Sequence, residues 1–338
     1  MRVFNIMVSR DLGGIQQAYI DYSQALNMQG YEVINISSKK AEINKQLDGS
    51  IKLPNFTSWC LVSKVYLWIL ALIYKPDIII AHGGRAINFA KAAKPKSVKL
   101  IGVAHNYTYK RLRKCDYVIV ITEHLRQYMI SNGYLAANLF KIPNMLRISQ
   151  EYKKKAFHTP VVIGSYGRFA KQKGYEYLFQ AASLLQERGY DFKLILGGGG
   201  EDADKLQSLS KELKIDDKVD FAGWIDDKDK FFSSVDIFCL SSIEEPFGIV
   251  LLEAMEFSTP IVATRCEGPN EIFAAGNDAI LADIKSGEDL ADKFSEFIDN
   301  PDIAQSTAHI AYENLLANYD IKIVAKKLDK VLRNCLQN

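Results

Sequence analysis

The stretch that decides the fold is SSIEEPFGIVLLEAMEFSTPIVAT, residues 241–264. It follows the apolar segment DIFCL, which is typical of a buried strand, and from Phe247 its apolar residues recur with helical spacing. Pro246 suits the first turn of that helix, because this position needs no backbone N–H donor. In α/β folds, a strand-to-helix corner lies at the sheet edge where ligands bind. The stretch therefore predicts an α/β protein with a ligand site at this corner.

Two carboxylates mark the predicted corner. Glu245 and Glu253 are eight positions apart, a rise of about 12 Å along a helix. Glu245 stands beside the free N–H groups of the helix start, where the helix dipole favours an anion, and Gly248 permits a ligand close to the backbone. The spacing suits a nucleoside diphosphate at the helix mouth and a sugar hydroxyl further along. The alternative is a surface helix with two solvated carboxylates.

The rest of the chain alternates apolar strands with helical stretches, which predicts parallel sheets covered on both faces. The alternation of strand and helix patterns is absent from residues 141–160, which are basic and bounded by prolines. This composition predicts an interdomain linker. We therefore predict two doubly wound domains, residues 1–150 and 159–319. The predicted strands are VFNIMVS (3–9), YEVINIS (31–37), DIIIAHG (77–83), KLIGVAH (99–105), YVIVITE (117–123), VVIGSYG (161–167), FKLILGG (192–198), VDFAG (219–223), DIFCLSS (236–242) and PIVAT (260–264).

Charge is divided unequally along the chain. The total is only +2, but residues 1–158 hold 23 Lys and Arg against 9 Asp and Glu, a net of +14, and the remainder holds 19 against 31, a net of −12. The two halves therefore meet different partners, or each other. No nucleic-acid recognition motif accompanies the basic half.

The sequence predicts a cytoplasmic protein. The start, MRVFNIMVSR, lacks the long apolar run of a signal peptide, and the most apolar run, residues 65–74, is too short to span a bilayer. Five scattered cysteines without metal-ligand spacing are typical of reduced cytosolic thiols. No cluster of acids and histidines has metal-ligand spacing, so we expect no metal site.

The stretch at 241–264 resembles the Glu-(seven residues)-Glu motif of retaining glycosyltransferases of family 4, a group-1 family with the GT-B fold. SYGRFAKQKGYEYLFQAA (165–182), VDFAGWIDD (219–227) and STPIVATRCEGPNEIF (258–273) resemble the neighbouring motifs of that family, and RDLGGIQQAYIDYSQALNMQGYEV (10–33) resembles its N-terminal glycine loop. The resemblance spans nearly the whole chain. It implies two Rossmann-like domains facing a central cleft, with a closing helix, about 320–338, that returns to the N-terminal domain.

The resemblance also assigns roles on the C-terminal side. Arg168 and Lys173, in GRFAKQKG, would stabilise the leaving diphosphate together with the helix mouth at Phe247 and Gly248. Glu253 would hold the ribose, and Glu245 the transferred sugar or the forming positive charge. Lys171 is an alternative to Lys173.

On the N-terminal side, Gly13 and Gly14 follow the first strand and would approach the donor from across the cleft. His105 ends a predicted strand at the ligand edge, and the resemblance places it close to the sugar; His82 is a second candidate. Three further candidates each have a functional and a structural interpretation, and the structural one is at least as good. The run Gly197–Gly200 is a base or phosphate site or a flexible turn, Trp224 is a neighbour of the base or a buried aromatic, and Glu271 is a donor contact or a helix cap.

The resemblance implies an enzyme that transfers sugar from a nucleotide sugar, a UDP-sugar, to a hydroxyl of lipopolysaccharide, O-antigen or another surface glycan, without a metal or other cofactor. The basic N-terminal half predicts peripheral contact with an anionic membrane, with Tyr66 and Trp68 at an interface or in the core. The basic residues are Lys91, Lys94, Lys96, Lys99, Lys110, Arg111, Arg113 and Lys114, and Trp59 accompanies the two aromatics. The alternatives are a sugar-nucleotide epimerase of the same fold and a non-catalytic sugar-nucleotide or membrane-binding protein.

Overall fold

The computed structural model describes residues 1–9, 13–47, 49–54 and 60–337. The chain divides into two compact units: the N-terminal unit comprises Met1–Arg147 and Tyr319–Asn338, and the C-terminal unit comprises Ile148–Asn318.

In the described part of the N-terminal unit, seven strands form one parallel sheet in the order β3-β2-β1-β4-β5-β6-β7. The central strand, β4, is buried along its whole length, as expected of a parallel strand with both faces covered. Its elements up to the boundary are β1 Arg2–Met7, α1 Gly14–Met28, β2 Glu32–Ser38, β3 Ile51–Leu53, α2 Leu61–Tyr74, β4 Ile78–His82, α3 Gly84–Ala93, β5 Lys99–Ala104, β6 Tyr117–Val120, α4 Glu123–Ser131 and β7 Leu139–Lys141.

The C-terminal unit, described throughout, repeats this architecture with six parallel strands in the order β10-β9-β8-β11-β12-β13. Both orders are those of a doubly wound sheet, so the predicted fold class is confirmed. Its elements are β8 Val161–Arg168, α5 Tyr175–Glu187, β9 Phe192–Gly199, α6 Ala203–Glu212, β10 Val219–Gly223, α7 Lys228–Ser233, β11 Ile237–Leu240, α8 Ile249–Glu256, β12 Ile261–Thr264, α9 Glu267–Ile272, β13 Ile280–Ala282, α10 Gly287–Asp299 and α11 Pro301–Asn318.

The start of α8 differs from the prediction. The helix begins at Ile249, because its N-cap, Gly248, has a φ of 95°, a left-handed conformation that cannot belong to the helix. Pro246 therefore lies before the helix and not in its first turn.

The segment predicted as a linker is bound to the C-terminal unit beyond residue 148. Ser149 donates from its backbone N and its hydroxyl to Glu256, at 2.7 and 3.0 Å. The Lys155 ammonium donates to the Thr259 hydroxyl at 2.9 Å, and burial lowers the pKa of Lys155 to about 8. These bonds make residues 149–158 part of the C-terminal unit's surface.

The last helix, α12 (Ile321–Gln337), belongs to the N-terminal unit. Backbone bonds between Leu146 and the segment Tyr319–Ile321 bring it to this unit, and it packs against α1. Tyr31 donates to Asp329 at 2.7 Å. The apolar face of α12 joins the core of the N-terminal unit and consists of Ile321, Val324, Ala325, Leu328, Leu332 and Cys335.

We expect Leu328→Ala to lower the free energy of unfolding by roughly 2–5 kcal/mol, because it removes a fully buried side chain from this core. Lys327→Ala, an exposed neighbour on the same helix, should change it by less than about 0.5 kcal/mol. Urea unfolding followed by near-UV circular dichroism measures both. A Leu328→Ala protein as stable as the control would show that α12 does not complete the core.

Candidate functional sites

Four loops meet at the carboxyl edge of the C-terminal sheet. The Ser241 hydroxyl, after β11, donates to the backbone oxygen of Lys173, after β8, at 3.0 Å. Gly268, after β12, donates its N–H to the Glu245 carbonyl at 2.8 Å. Phe169 donates its N–H to the carbonyl of Gly199, at the end of β9, at 2.8 Å. The loops are therefore fixed to one another by hydrogen bonds, each of which involves at least one backbone group.

Glycines make this close contact of loops possible. A Cβ on Gly174, whose φ is 62°, would lie 2.2 Å from the Ser241 carbonyl oxygen, and one on Gly268 would lie 2.2 Å from that of Phe247. In the four-glycine run, a Cβ on Gly198 would lie 1.9 Å from the Gly167 carbonyl oxygen. Close backbone packing against the neighbouring strand β8 thus explains the glycine at position 198. Neither a ligand site nor a flexible turn, the two interpretations of the run from sequence, included this cause.

One ion pair joins two of the predicted site residues. The Lys173 ammonium and the Glu245 carboxylate are 2.5 Å apart, and their side chains are 22% and 13% exposed. Arg168 ends β8 on the same loop and is exposed, as is Lys171. The structure therefore brings Lys173 to Glu245 and leaves the Arg168 guanidinium at the surface of the same edge.

Glu253 lies apart from that pair, buried on α8. The Tyr166 hydroxyl donates to one of its carboxylate oxygens and the Lys228 ammonium to the other. Burial, and then the Glu253 carboxylate, raise the pKa of Tyr166 well above its usual value. Neither of these two partners of Glu253 was identified from the sequence. The omission of Lys228 has a physical reason: a buried carboxylate needs a cation, and no local pattern shows which one.

The other candidates of this unit lie as follows. Phe247 is buried just before α8, and Gly248 caps that helix. Trp224 is 61% exposed, so the expectation of a buried aromatic is wrong: it directly follows β10, the strand at the edge of the sheet. Glu271 lies near the end of α9, which Glu267 opens, so Glu271 does not begin that helix.

A cavity of about 680 Å³ lies at the carboxyl edge of the N-terminal sheet. The ends of β1, β4 and β5 line it, with Ser9, His82 and His105 among the polar contributors. Gly13 and Gly14 adjoin its wall at Ile15; Gly13 caps α1 with an extended backbone that any residue adopts. The backbone conformation at position 13 therefore does not require a glycine.

A row of hydrogen bonds ends at His105. Asn5, fully buried, donates through Nδ2 to the Tyr19 carbonyl at 3.0 Å and to Asn35 Oδ1 at 3.1 Å. His82 Nε2 lies 3.0 Å from Asn5 Oδ1, and His82 Nδ1 lies 3.0 Å from His105 Nε2. The row therefore links three strands, β1, β4 and β5, to the wall of the cavity.

The Tyr19 carbonyl sets the direction of this row, because a carbonyl only accepts. Asn5 must present its NH₂ to that carbonyl, so its Oδ1 accepts from His82 Nε2–H. Burial, and then His105, hold the pKa of His82 well below its usual value, so its ring is neutral and Nδ1 is an acceptor. His105 therefore carries its proton on Nε2, and its Nδ1 is an acceptor. Burial lowers the pKa of His105 to about 4, so this ring too is neutral at pH 7.

No group of three or more His, Cys, Asp or Glu side chains within residues 1–9, 13–47, 49–54 and 60–337 has an arrangement that would hold a metal ion. Among the helices that the structure describes, none is both long enough and apolar enough to cross a membrane.

Comparison with known proteins identifies the class. The crystal structure of Anabaena Alr3699/HepE in complex with UDP and glucose superposes with a TM-score of 0.86 over 99% of this chain and 100% of that one, at 18% identity. The apo structure of the lipopolysaccharide outer core galactosyltransferase WaaB superposes with a TM-score of 0.75 over 99% of both chains, at 19% identity. The fold is therefore GT-B.

The family follows from the sequence matches. Residues 148–314 match the model of the glycosyl transferases group 1, and that range covers nearly all of the C-terminal unit. The lipopolysaccharide core biosynthesis glycosyltransferase LpsE of Rhizobium meliloti (strain 1021) is 26% identical over 331 residues, 94% of this chain and 95% of that protein. The C-terminal unit therefore belongs to the glycosyl transferases group 1, and the chain is a glycosyltransferase.

We expect Asn5→Asp to reverse the polarity of the histidine row. A carboxylate beside His82 Nε2 favours the imidazolium form of His82, whose Nδ1–H would then donate to His105 Nε2. The proton of His105 would move to Nδ1. Long-range ¹H–¹⁵N spectra of the imidazoles distinguish the two tautomers.

Asn35→Asp is the matched control for this experiment. It adds the same charge one strand away and keeps an acceptor for Asn5 Nδ2, so the His105 proton should stay on Nε2. A wild-type spectrum with the His105 proton on Nδ1 would contradict the derived direction of the row.

Proposed function

We propose that this protein is a retaining glycosyltransferase of family 4 that transfers a glycosyl group from a UDP-sugar to a hydroxyl of a lipopolysaccharide or another surface glycan. The observation that carries the proposal is the Lys173–Glu245 ion pair at the start of α8, on the loop that also presents Arg168. A cation and a carboxylate held together at a helix N-terminus suit a reaction in which a diphosphate leaves and positive charge develops on the sugar.

The relatives support the choice of donor and acceptor. LpsE is named for lipopolysaccharide core biosynthesis, WaaB for galactosyl transfer to the lipopolysaccharide outer core, and HepE was crystallised with UDP and glucose. We therefore place the protein in the cytoplasm, on the inner face of the membrane, where it would meet a lipid-borne acceptor.

In the proposed reaction, Arg168 and Lys173 bind the diphosphate of the donor, assisted by the N–H groups that follow Gly248. Lys173 is already balanced by Glu245, so a phosphate would share or replace that contact. As the bond to the sugar breaks, the two cations compensate the charge that grows on the leaving oxygen. The departing phosphate oxygen takes the proton of the acceptor hydroxyl, and no metal ion is needed.

Glu253 would accept hydrogen bonds from the ribose hydroxyls, beside the Lys228 ammonium with which it forms an ion pair. Glu245 would face the transferred sugar. The neutral His105 would accept a hydrogen bond from a sugar hydroxyl through Nδ1, the direction that Asn5 and His82 impose.

The test of the reaction is direct. A thermal-shift screen of nucleotide sugars identifies the donor, and proton NMR of the product with a lipopolysaccharide-type acceptor reports the anomeric configuration. A product with inverted configuration would refute the retaining assignment and leave the family intact. Epimerised nucleotide sugar formed without an acceptor would favour the epimerase alternative.

We expect Arg168→Ala and Lys173→Ala each to lower kcat/KM by an amount corresponding to about 2–4 kcal/mol, because each removes a cation that faces the leaving diphosphate. Lys171→Ala removes an exposed cation from the same loop and should change kcat/KM little. Steady-state kinetics with the identified donor measures all three. Arg168→Ala or Lys173→Ala with wild-type kinetics would exclude that residue from the site.

Substitutions of the two glutamates should affect UDP binding and turnover differently. Glu253→Gln should chiefly weaken binding of free UDP, because it removes the charge that faces the ribose and leaves Lys228 unpaired. Glu245→Gln should lower turnover more than UDP affinity, since its role lies at the sugar. Calorimetric titration of UDP against both variants, combined with turnover rates, separates the effects. Equal losses of UDP affinity would show that Glu245 is misassigned.

A further inference from the structure

Helix α2 has an exposed apolar face. Its buried side consists of Ser63, Leu67, Leu70 and Ala71, which recur at helical spacing and pack towards the unit. The opposite side carries eight large apolar side chains whose exposure runs from 38% to 70%: Leu61, Val62, Val65, Tyr66, Trp68, Ile69, Leu72 and Ile73. A continuous apolar surface of this kind marks an interaction site.

The dimensions of α2 limit what the site can do. Its 14 residues span about 21 Å, and the hydrocarbon core of a bilayer is ~30 Å thick. The helix is also fixed along its buried side to the sheet and to α3. It is therefore shaped to lie along an apolar surface and not to cross one.

The surrounding charge selects an anionic surface. Helix α2 packs against β3 and α3, and these three elements together contain four basic residues and no acidic residue. The four are Lys52, Lys64, Arg85 and Lys91. Tyr66 and Trp68 lie on the exposed face, and their amphipathic rings are suited to the headgroup level of a bilayer. A basic surround and a face with interfacial aromatics match an anionic lipid bilayer better than an apolar protein partner.

We propose that the exposed face of α2 inserts into the surface of an anionic membrane, to the depth of about 5–10 Å that is typical of interfacial helices. The site deepens the proposed function, on which it rests for the membrane-borne acceptor. It also assigns the main contact to α2, whereas the sequence-based expectation combined the tyrosine and tryptophans with two basic groups, at residues 91–99 and 110–114. In the structure, Arg113 stacks on two tyrosine rings and the Lys114 ammonium donates to Asn88 at 2.7 Å.

Insertion and electrostatic attraction respond differently to salt. The test uses the full chain and vesicles of phosphatidylcholine with phosphatidylglycerol, in low salt and in about 1 M NaCl, where the Debye length is ~3 Å. We expect wild-type protein to co-sediment in both conditions, since apolar burial is not screened. Binding that disappears completely in high salt would overturn the insertion proposal in favour of purely electrostatic attraction.

A triple variant, Trp68→Ser, Leu72→Ser and Ile73→Ser, should lower the vesicle partition coefficient at least about tenfold, because it removes three apolar contacts from the face. The matched control replaces three comparably exposed apolar residues elsewhere, Leu135→Ser, Ile303→Ser and Leu316→Ser, and should bind vesicles as wild type does. Equal losses in the two triple variants would refute a special role for α2.

Trp68 also reports its own depth. In a Trp59→Phe, Trp224→Phe background, vesicles with brominated acyl chains should quench the remaining tryptophan fluorescence by at least about half if the ring reaches the acyl boundary. Absence of quenching on bound vesicles would overturn the proposal. A doubled mass in light scattering without lipid, reversed by the α2 triple variant, would instead identify a second copy of the chain as the occupant.

UDP affinity separates this proposal from the proposed function. The α2 triple variant should bind UDP as tightly as wild type, since α2 belongs to the N-terminal unit and both Lys173 and Glu245 belong to the C-terminal unit. A wild-type chain that binds vesicles through α2 but binds no UDP would refute the proposed donor and leave the membrane face standing. A chain that binds UDP but does not bind vesicles would refute the membrane proposal and leave the proposed donor standing.

Discussion

Both candidate sites depend on one constraint. Each sheet is parallel, and its strand order reverses direction at one strand. In the N-terminal sheet β1 lies between β2 and β4, and in the C-terminal sheet β8 lies between β9 and β11. The connections on either side of such a strand run in opposite directions, so the loops at the carboxyl ends diverge and leave a crevice. The cavity beside His82 and His105 and the loop cluster around Lys173 and Glu245 both occupy this position.

The two sites differ in their electrostatics. The C-terminal unit holds paired charges: Lys173 with Glu245 in the loops, and Lys228 with Glu253 on α8. The N-terminal cavity combines two cations in its lining, Arg85 and Arg111, with two neutral imidazoles, His82 and His105. Charges suit a ligand that carries phosphates, whereas neutral donors and acceptors suit hydroxyl groups, because they orient a sugar without a large desolvation cost. The presence of both charged and neutral groups agrees with a reaction between an anionic donor and a hydroxyl-bearing partner.

The sequence predicted two kinds of feature: the strands that recur along the chain, and the residues brought together at the carboxyl edge that parallel strands share. Apolar runs located ten strands, and the rule that parallel strands share a carboxyl edge placed Lys173 near Glu245. Three-residue strands such as β3, β7 and β13 were missed, because so short a segment has no period to detect. The partners of Glu253 were missed because they lie 87 and 25 residues away. The run at residues 65–74 was visible, but only packing shows which of its side chains are left outside.

The return of α12 has a consequence for the order in which the protein can assemble. The C-terminal unit is continuous in the chain, from Ile148 to Asn318, so all of its strands are available once that segment has been synthesised. The N-terminal unit is synthesised first, yet its core lacks Val324, Leu328 and Leu332 until α12 follows. The earlier half of the chain must therefore wait for the later half, with part of its apolar surface still open to water. During synthesis, the unit most in need of a chaperone is the one that emerges first.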